Sequence, residues 1–262
     1  RDLELPAFID DSWATISVSY SGNTEETLTV FAESLKRGCH SFAITSGGKL
    51  LSMDKALRVI KLNPGYQPRA AFPSIFSAVL QITESLLGIK RTDLERIRPI
   101  LQSRYLDWEK SQYSPKDMAR DLNNLIPVFI GARHLIPVAY RSKCQMNENA
   151  KALAFYSEIP ESNHNEIESF DHRNDPTILP VLLRSQFEDD RIAARYEVIS
   201  ELYKDEGFSP IRFSMKSDSK IEEMLLMTFY LDLVTLELAL LRGVDPTSVE
   251  KISKLKSELK NL

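Results

Sequence analysis

The chain of 262 residues lacks several features that mark whole classes of protein. It contains two cysteines, Cys39 and Cys144, which are typical of inert packing residues in a reducing cytosol. Its formal net charge of −4 provides no basic field for nucleic acid or for an anionic membrane surface. No uninterrupted apolar run approaches the ~20 residues of a membrane span, and we expect no signal peptide at its start. These absences favour a cytoplasmic protein without a nucleic-acid or membrane partner.

The chain does contain enough apolar sequence for a substantial core. Its hydrophobic fraction is 43%, and its length suffices for two domains of ordinary size. Periodicity predicts strands at 15–19, 41–45, 59–62, 126–131, 152–157, 178–183 and 210–214, and helices at 25–37, 74–87, 136–151, 190–204 and 221–242. This alternation predicts the α/β class, with parallel sheets covered by helices. The charged segment 89–121 is typical of a helical linker, and we expect domains at 1–105 and 106–262.

A hydroxyl-rich turn joins the first predicted strand to the first predicted helix. It contains Ser19, Ser21 and Thr24, with Gly22 where the backbone can approach a ligand closely. Hydroxyl groups and the free N–H groups at the start of a helix together attract a phosphate dianion. A single Ser or Thr there is more often a helix cap. Three hydroxyls at spacings of two and three residues favour a phosphate site at the carboxyl end of a strand.

Two residues in the second half of the chain have side chains suited to proton transfer. Glu148 lies between two asparagines near the end of a predicted helix, and a carboxylate can move a proton between adjacent carbon atoms. His164 follows in a polar turn that is expected to open a helix, and its imidazole titrates near neutral pH. From the residues alone, a solvated helix-end acid and a capping or solvent-facing histidine are the simpler interpretations.

Arg69 is the candidate for a fixed positive charge. It follows Gln67-Pro68, where the backbone before proline is extended, so its guanidinium is expected near the end of the sheet. Such a cation would stabilise the negative charge of an enediolate. A surface arginine that opens a helix is the alternative interpretation.

A metal site is a further alternative in the second half of the chain. His164, Glu168 and His172 are spaced by four residues and would share one face of a continuous helix. The residues that follow Phe170 are typical of a helix exit, and zinc sites rarely depend on one such row. We therefore predict no metal.

Five motifs occur in the order found in one family of sugar-phosphate enzymes. The turn Ser19-Tyr-Ser-Gly-Asn-Thr24 resembles the phosphosugar loop of sugar isomerase (SIS) domains. It is followed by Pro68-Arg-Ala-Ala-Phe-Pro73, Asn147-Glu-Asn-Ala-Lys151, Pro160-Glu-Ser-Asn-His-Asn165 and Arg242-Gly-Val-Asp-Pro246. The series resembles the archaeal-type bifunctional phosphoglucose/phosphomannose isomerases from near the start of the chain to near its end.

This resemblance implies the fold and the completeness of the chain. Members of the family have two tandem SIS domains, each a mostly parallel sheet flanked by helices in a flavodoxin-like three-layer arrangement. The family's first strand and its glycine-rich Gly-x-Gly-Gly-Ser turn have no counterpart in this sequence. We therefore expect the first domain to be incomplete and the chain to bind substrate weakly.

The resemblance also implies the substrates and how they are held. The reaction would interconvert glucose 6-phosphate, and mannose 6-phosphate, with fructose 6-phosphate through a cis-enediol, without a metal or redox cofactor. Ser19, Ser21 and Thr24 would bind the phosphate, and Arg69 would stabilise the intermediate.

The same resemblance implies the roles of four further residues. Glu148 would shuttle the proton, and His164 together with Lys256 would open the sugar ring. Lys256 is singled out from its neighbouring lysines only by alignment from Arg242-Gly-Val-Asp-Pro246. Thr247 would leave room for both C2 epimers, although a strict register puts Val249 at that place.

Family members are homodimers in which the histidine-bearing loop reaches the neighbouring subunit's site. We therefore expect this chain to form a homodimer with its active site at the subunit interface. Glu148 and His164 are expected to face one pocket, whose floor is the turn 19–24, within one copy or across two.

Two other functions are weighed against this one. A non-catalytic phosphosugar-sensing SIS module would have no use for Glu148, His164 and Arg69, and the sequence contains no basic helix-turn-helix. The isomerase half of an amidotransferase would need a glutaminase domain with an N-terminal cysteine, which the sequence does not contain.

Overall fold

The computed structural model describes residues 3–53, 59–111, 113–171 and 177–259. Its contacts divide the chain into two compact units, Arg1–Leu94 and Glu95–Leu262, called unit 1 and unit 2 below. Each unit contains one sheet, and all described strand pairs are parallel. The α/β class predicted from the alternation of elements is confirmed.

Unit 1 is built on a three-stranded sheet of order β1-β2-β3. The strands are β1 (Ala14–Val18), β2 (His40–Thr45) and β3 (Val59–Lys61), and the helices are α1 (Glu25–Lys36), α2 (Gly48–Met53) and α3 (Phe72–Leu87). Parallel pairing brings the carboxyl ends of the three strands to one edge of the sheet. Helix α3 ends at Gly88 in the left-handed conformation, as predicted for a glycine C-cap.

The sheet of unit 1 has apolar contacts on both faces because successive strand residues point to opposite sides. Ile44 of β2 packs in a cluster with Ala78 and Ile82 of α3. Its neighbour Ala43 packs with Phe31 of α1 and with Leu50 of α2. Helices α1 and α2 therefore cover one face of the sheet, and α3 covers the other.

Unit 2 contains a four-stranded sheet of order β5-β4-β6-β7. Its strands are β4 (Ile126–Ala132), β5 (Phe155–Ile159), β6 (Ile178–Arg184) and β7 (Ile211–Ser214). Its helices are α4 (Leu94–Trp108), α5 (Pro115–Leu122), α6 (Ile136–Glu148), α7 (Asp190–Asp205), α8 (Lys220–Leu241) and α9 (Glu250–Leu259). Short 3-10 helices span Arg133–Leu135, Glu161–His164 and Glu166–Ser169.

The core of unit 2 also forms on both faces of its sheet. Phe129 of β4 packs in the larger cluster, which includes Leu226 and Tyr230 of α8. Val128, the residue before it, packs in the other cluster with Tyr196 of α7. The alternation along β4 thus produces a helix–sheet–helix arrangement within this unit.

Two of the differences between the structure and the predicted elements of unit 2 have a clear physical cause. Helix α6 ends at Glu148 rather than at Lys151, because Lys151 adopts a left-handed φ of 53° that is incompatible with a helix. The segment expected to be a helical linker contains α5, which a capping box at Ser114 begins and which buries Met118 and Leu122 in the core. That helix is therefore part of the folded unit rather than a connection.

Helix α8 is the one helix among the described residues that is long and apolar enough to cross a membrane. Half of its most apolar 18-residue window is buried inside the structure, and core helices pass the same test of length and composition. The apolar sequence of α8 is not continuous over this length, because Asp232 and Glu237 lie within it. Its apolar side chains, including Leu226, Leu231 and Val234, lie in the core of unit 2.

Candidate active site

The turn after β1 brings together two of the three hydroxyls predicted to bind phosphate. Ser19 is buried, with 4% of its surface exposed, and its Oγ lies 2.8 Å from Oγ1 of Thr24. The same Oγ accepts a hydrogen bond from the N–H of Gly22 at 3.1 Å. Ser21 is exposed, and its Oγ accepts a 3.4 Å hydrogen bond from the N–H of Asn23. Of the three residues, Ser19 is therefore buried, whereas Ser21 and Thr24 are exposed.

Thr24 is the N-cap residue of α1, but its hydroxyl does not cap the helix. That hydroxyl pairs with Ser19 instead, and the helix begins with a 3.0 Å hydrogen bond from the N–H of Leu28 to the carbonyl of Thr24. The side chain of Thr24 thus leaves the N–H groups of the first turn available to an external acceptor. Together with the positive end of the helix dipole, these groups are suited to hold an anion.

A second loop, residues 45–48, packs tightly against the first. A Cβ atom added to Gly22 would lie 1.8 Å from the carbonyl oxygen of Gly47, and Gly22 has a φ of +67°. The N–H of Leu50 donates to the carbonyl of Gly22 at 2.9 Å, and the N–H of Lys49 donates to Oδ1 of Asn23 at 3.1 Å. The turn 19–24 is therefore held in place by the loop that follows β2.

Tyr20 connects the same turn to the segment that leads to Arg69. Its hydroxyl donates a 2.7 Å hydrogen bond to the carbonyl of Asn63 and accepts one at 3.0 Å from the N–H of Tyr66. Arg69 is partly buried and lies in the turn before α3. All three segments follow parallel strands and therefore lie at the carboxyl edge of the unit 1 sheet.

In unit 2, Glu148 is the last residue of α6, and a lysine holds the end of that helix. Nζ of Lys151 donates to the carbonyl oxygen of Glu148 at 2.5 Å and to that of Ser248 at 2.8 Å. The helix end is thereby connected to the loop that contains Thr247. Glu148 itself is partly buried.

A second anchor lies one residue further along the chain. Asn149 is buried, and its Nδ2 donates hydrogen bonds to Oγ1 of Thr235 at 2.9 Å and to Oε1 of Gln145 at 3.2 Å. Asn147 Nδ2 donates to the carbonyl of Ala152 at 2.8 Å. The two asparagines that flank Glu148 thus fix the backbone on either side of it.

His164 lies at the opposite edge of the same sheet. It is exposed and ends the 3-10 helix that follows the carboxyl end of β5. Helix α6 runs back from the carboxyl end of β4, so Glu148 lies at the amino edge. Strand β5 separates the two edges by about 13 Å at 3.3 Å per residue. The structure therefore places Glu148 and His164 at opposite edges of the unit 2 sheet, and the pocket expected to be shared by them, within one copy or across two, stays a prediction.

Thr247 and Lys256 lie after α8. The N–H and the hydroxyl of Thr247 both donate to Oδ1 of Asp245, at 2.8 and 2.7 Å. These hydrogen bonds lower the pKa of the Asp245 carboxyl below its ordinary value. Lys256 is exposed on α9, which has no buried residue among those described. The structure connects Thr247 to the end of α6, whereas Lys256 faces solvent.

The alternative metal site lacks the helix on which it depended. Residues 161–169 form two short 3-10 helices that are separated at Asn165, rather than one α-helix. His172 lies outside the described residues. Within the described ranges, no group of three His, Cys, Asp or Glu side chains could hold a metal ion.

Several residues that support the site were not singled out from the sequence. They are Tyr20, the loop 45–48, Asn149 and Lys151. The dipeptide Gly47-Gly48 after a buried strand was an available signal, because close backbone approach at a sheet edge requires glycine. The contact between Asn149 and Thr235 joins residues 86 positions apart, and no local pattern indicates it.

Comparison with known proteins shows the family to which the chain belongs. The profile described as "Bacterial phospho-glucose isomerase C-terminal SIS domain" matches residues 112–259. A "Bifunctional phosphoglucose/phosphomannose isomerase" of Aquifex aeolicus is 32% identical over 99% of this chain and 80% of its own length. A protein of the same description from Thermoplasma acidophilum is 34% identical over 98% of this chain and 80% of its own length. The chain belongs to the bifunctional phosphoglucose/phosphomannose isomerase family.

A solved structure supports the SIS fold of this family member independently. The crystal structure of a glucosamine-6-phosphate deaminase from Thermotoga maritima aligns with a TM-score of 0.70, covering 93% of this chain and 74% of that one. Sequence identity over the alignment is 15%, so the likeness is one of fold alone.

Proposed function

We propose that the chain interconverts glucose 6-phosphate, and mannose 6-phosphate, with fructose 6-phosphate by proton transfer through a cis-enediol. The observation that carries the proposal is the hydroxyl turn at 19–24, in a chain that belongs to the isomerase family over nearly its whole length. The relatives do not favour a module that only senses phosphosugars.

The phosphate is assigned to the carboxyl edge of the unit 1 sheet. Ser19 and Thr24 share a 2.8 Å hydrogen bond, so the hydroxyl that accepts it can donate its own proton to a phosphate oxygen. Ser21 lies on the surface of the same turn and supplies a third donor. Arg69, in the turn before α3, is the guanidinium that stabilises the enediolate.

Glu148 is the proposed base. One carboxylate can reach two adjacent carbon atoms and return the proton to the second, as an aldose–ketose isomerisation requires. Because catalysis depends on position, the base must be held to a fraction of an ångström. The bonds of Lys151 and Asn149 beside Glu148 supply that constraint in this chain. No metal or redox cofactor is needed for this step.

The ring-opening residues are assigned to a second copy of the chain. Glu148 and His164 lie at opposite edges of one sheet, so one substrate can contact both only if they come from different subunits. We therefore infer a homodimer with its active sites at the subunit interface. His164 takes and returns the ring-oxygen proton in this scheme, and Lys256 assists it.

We infer that the two units are tandem SIS domains. The family profile matches residues 112–259, within unit 2. Unit 1 has a parallel sheet covered by helices and a turn of the SIS phosphosugar type. We further infer a cytoplasmic enzyme, since its substrates would be phosphorylated metabolites.

An assay with three sugar phosphates tests the proposal. Fructose 6-phosphate is supplied to the purified chain, and glucose 6-phosphate and mannose 6-phosphate are resolved by NMR, with and without ammonia. We expect both aldoses to form without ammonia, and Glu148→Gln to abolish their formation. Formation of an amino sugar only with ammonia, or no product from a folded chain, would contradict the proposal.

A further inference from the structure

Unit 2 contains a cavity of about 310 Å³ at the carboxyl ends of β4 and β6. None of the described residues that line it is among those assigned above to the isomerase reaction. The sheet order is β5-β4-β6-β7. The chain places β5 on one side of β4 and then crosses to place β6 on the other side, so the strand order reverses at β4. Ligands bind outside the carboxyl ends of the strands at such a reversal point. The volume is at the lower end of the range for small-molecule pockets.

His134 lines the cavity and pairs with a buried carboxylate that is outside the lining. His134 Nε2 lies 2.7 Å from Oε2 of Glu223, whose side chain is fully buried. The hydroxyl of Ser185 and the N–H of Gln186 also donate to this carboxylate, at 2.5 and 3.1 Å. A buried carboxylate needs several donors of this kind, and here they fix the imidazole in one orientation.

The other nitrogen of His134 has no such partner. Among the described residues, Nδ1 of His134 is buried and makes no hydrogen bond. Nε2 faces a carboxylate and therefore carries a proton, and in that tautomer Nδ1 is an acceptor. A ligand hydroxyl is the group that would satisfy it.

Two cations lie among the residues that line the cavity. Arg133 has a left-handed φ of 54° and an exposed ion pair with Asp189 at 3.2 Å. Lys220, the first residue of α8, is also exposed. Exposed ion pairs are weak, so Arg133 can exchange Asp189 for an anionic ligand. Asp189 already caps α7 by accepting from the N–H of Ile192 at 3.0 Å. The anion would therefore be held by the two side-chain cations rather than by that helix end.

We propose that this cavity is a second ligand site, which binds a small hydroxylated anion of the sugar-phosphate class. Arg133 and Lys220 hold the anionic group, and Nδ1 of His134 accepts a hydrogen bond from a ligand hydroxyl. The cavity lining includes none of the residues assigned above to the isomerase reaction, and ligand binding there does not depend on that chemistry. If the hydrogen bonds of His134 and Ser185 to Glu223 served only to hold α8 against the ends of β4 and β6, the cavity would bind no ligand.

The chain has four histidines, so the imidazole NMR signals report on the cavity directly. The His134 signals are assigned by replacing His40, His164 and His172 with glutamine one at a time, and the chain is titrated with fructose 6-phosphate, fructose and inorganic phosphate. We expect fructose 6-phosphate to shift the His134 signals saturably. Neutral fructose lacks the anionic group and inorganic phosphate lacks the sugar hydroxyls, so each should bind at least tenfold more weakly.

Variants separate this site from the first one. Lys220→Gln is expected to weaken the His134 response about tenfold, whereas Lys204→Gln, an exposed lysine outside the cavity lining, leaves it unchanged. The response must persist in Ser19→Ala, where the isomerase site is impaired. No shift at saturation, equal affinity for inorganic phosphate, or loss of the response in Ser19→Ala would each overturn the proposal.

Discussion

The side-chain amide of Asn149 donates a 2.9 Å hydrogen bond to the hydroxyl of Thr235. Both residues are buried, at 6% and 1% exposure, and Asn149 directly follows Glu148 at the end of α6. The end of α6 is thereby fixed against α8, at the residue proposed to move the proton.

Replacing Thr235 with valine tests this anchor. Thr235→Val keeps the shape of the side chain but removes an acceptor from the buried Asn149 amide. We expect the free energy of unfolding to fall by about 1–2 kcal/mol and kcat to fall while KM changes little, because the base is less well positioned. Urea unfolding and steady-state kinetics measure the two effects. Thr228→Val, on the same helix, is the control, and equal kcat losses in both variants would contradict a specific role for Thr235.

Gly22 tests the contact between the two loops of unit 1. In Gly22→Ala the new Cβ would lie 1.8 Å from the Gly47 carbonyl, so the loop must move. Gly88→Ala is the matched control, because its φ is +62° and no atom lies within 4 Å of the added Cβ. We expect Gly88→Ala to cost about 1 kcal/mol, the usual penalty for a left-handed alanine. Gly22→Ala should cost clearly more and also weaken phosphosugar binding. Similar losses of unfolding free energy in the two variants would show that the close approach is unimportant.

Mixing two inactive variants tests whether the active site is shared between subunits. Glu148→Gln and His164→Asn are expected to be nearly inactive alone. If Glu148 and His164 serve one site from different copies, a heterodimer has one intact site, and random mixing restores about a quarter of the wild-type turnover. The mixture is unfolded and refolded together, with each variant refolded alone as control. Activity no greater than the sum of the two controls would mean that both residues act within one chain.

Asp245 connects the Thr247 loop to a measurable pKa. Hydrogen bonds from Thr247 lower the pKa of this carboxyl, so they stabilise the folded chain above the unfolded-state value and are lost as the pH falls through the lower folded-state value. Thr247→Val removes the hydroxyl donor and keeps the N–H donor. We expect the Asp245 pKa to rise towards its ordinary value in a ¹³C-carboxyl NMR titration. An unchanged pKa would mean that the hydroxyl bond does not form in solution.

The elements of the fold could largely be predicted from the sequence because their signals are local. Gly88 ends α3 as its position indicates, and the alternation of apolar residues marks the strands of both sheets. The sequence places the end of α6 too late because Lys151 is left-handed there. Its side chain donates a hydrogen bond to the carbonyl of Ser248, which is distant in the sequence. Element boundaries that are set by neighbouring residues can thus be predicted, whereas backbone conformations that depend on residues distant in sequence cannot.

The candidate site divides in the same way. Ser19 and Thr24 are five residues apart and their pairing follows from one motif. The separation of Glu148 and His164 depends on the direction of α6 and on the length of β5, which the motifs do not encode. The local sequence does not indicate the cavity beside His134, because its lining comes from positions as far apart as 132 and 220.

Deuterium incorporation tests the role of Glu148 most directly. Glucose 6-phosphate is incubated with the chain in D₂O, and deuterium at C2 of the aldose and C1 of the ketose is followed by NMR. Proton transfer by the 148 carboxylate predicts incorporation by the wild type and a loss of about 10²–10⁴-fold in Glu148→Gln, with phosphosugar affinity unchanged. Undiminished incorporation in a folded Glu148→Gln chain would contradict the account.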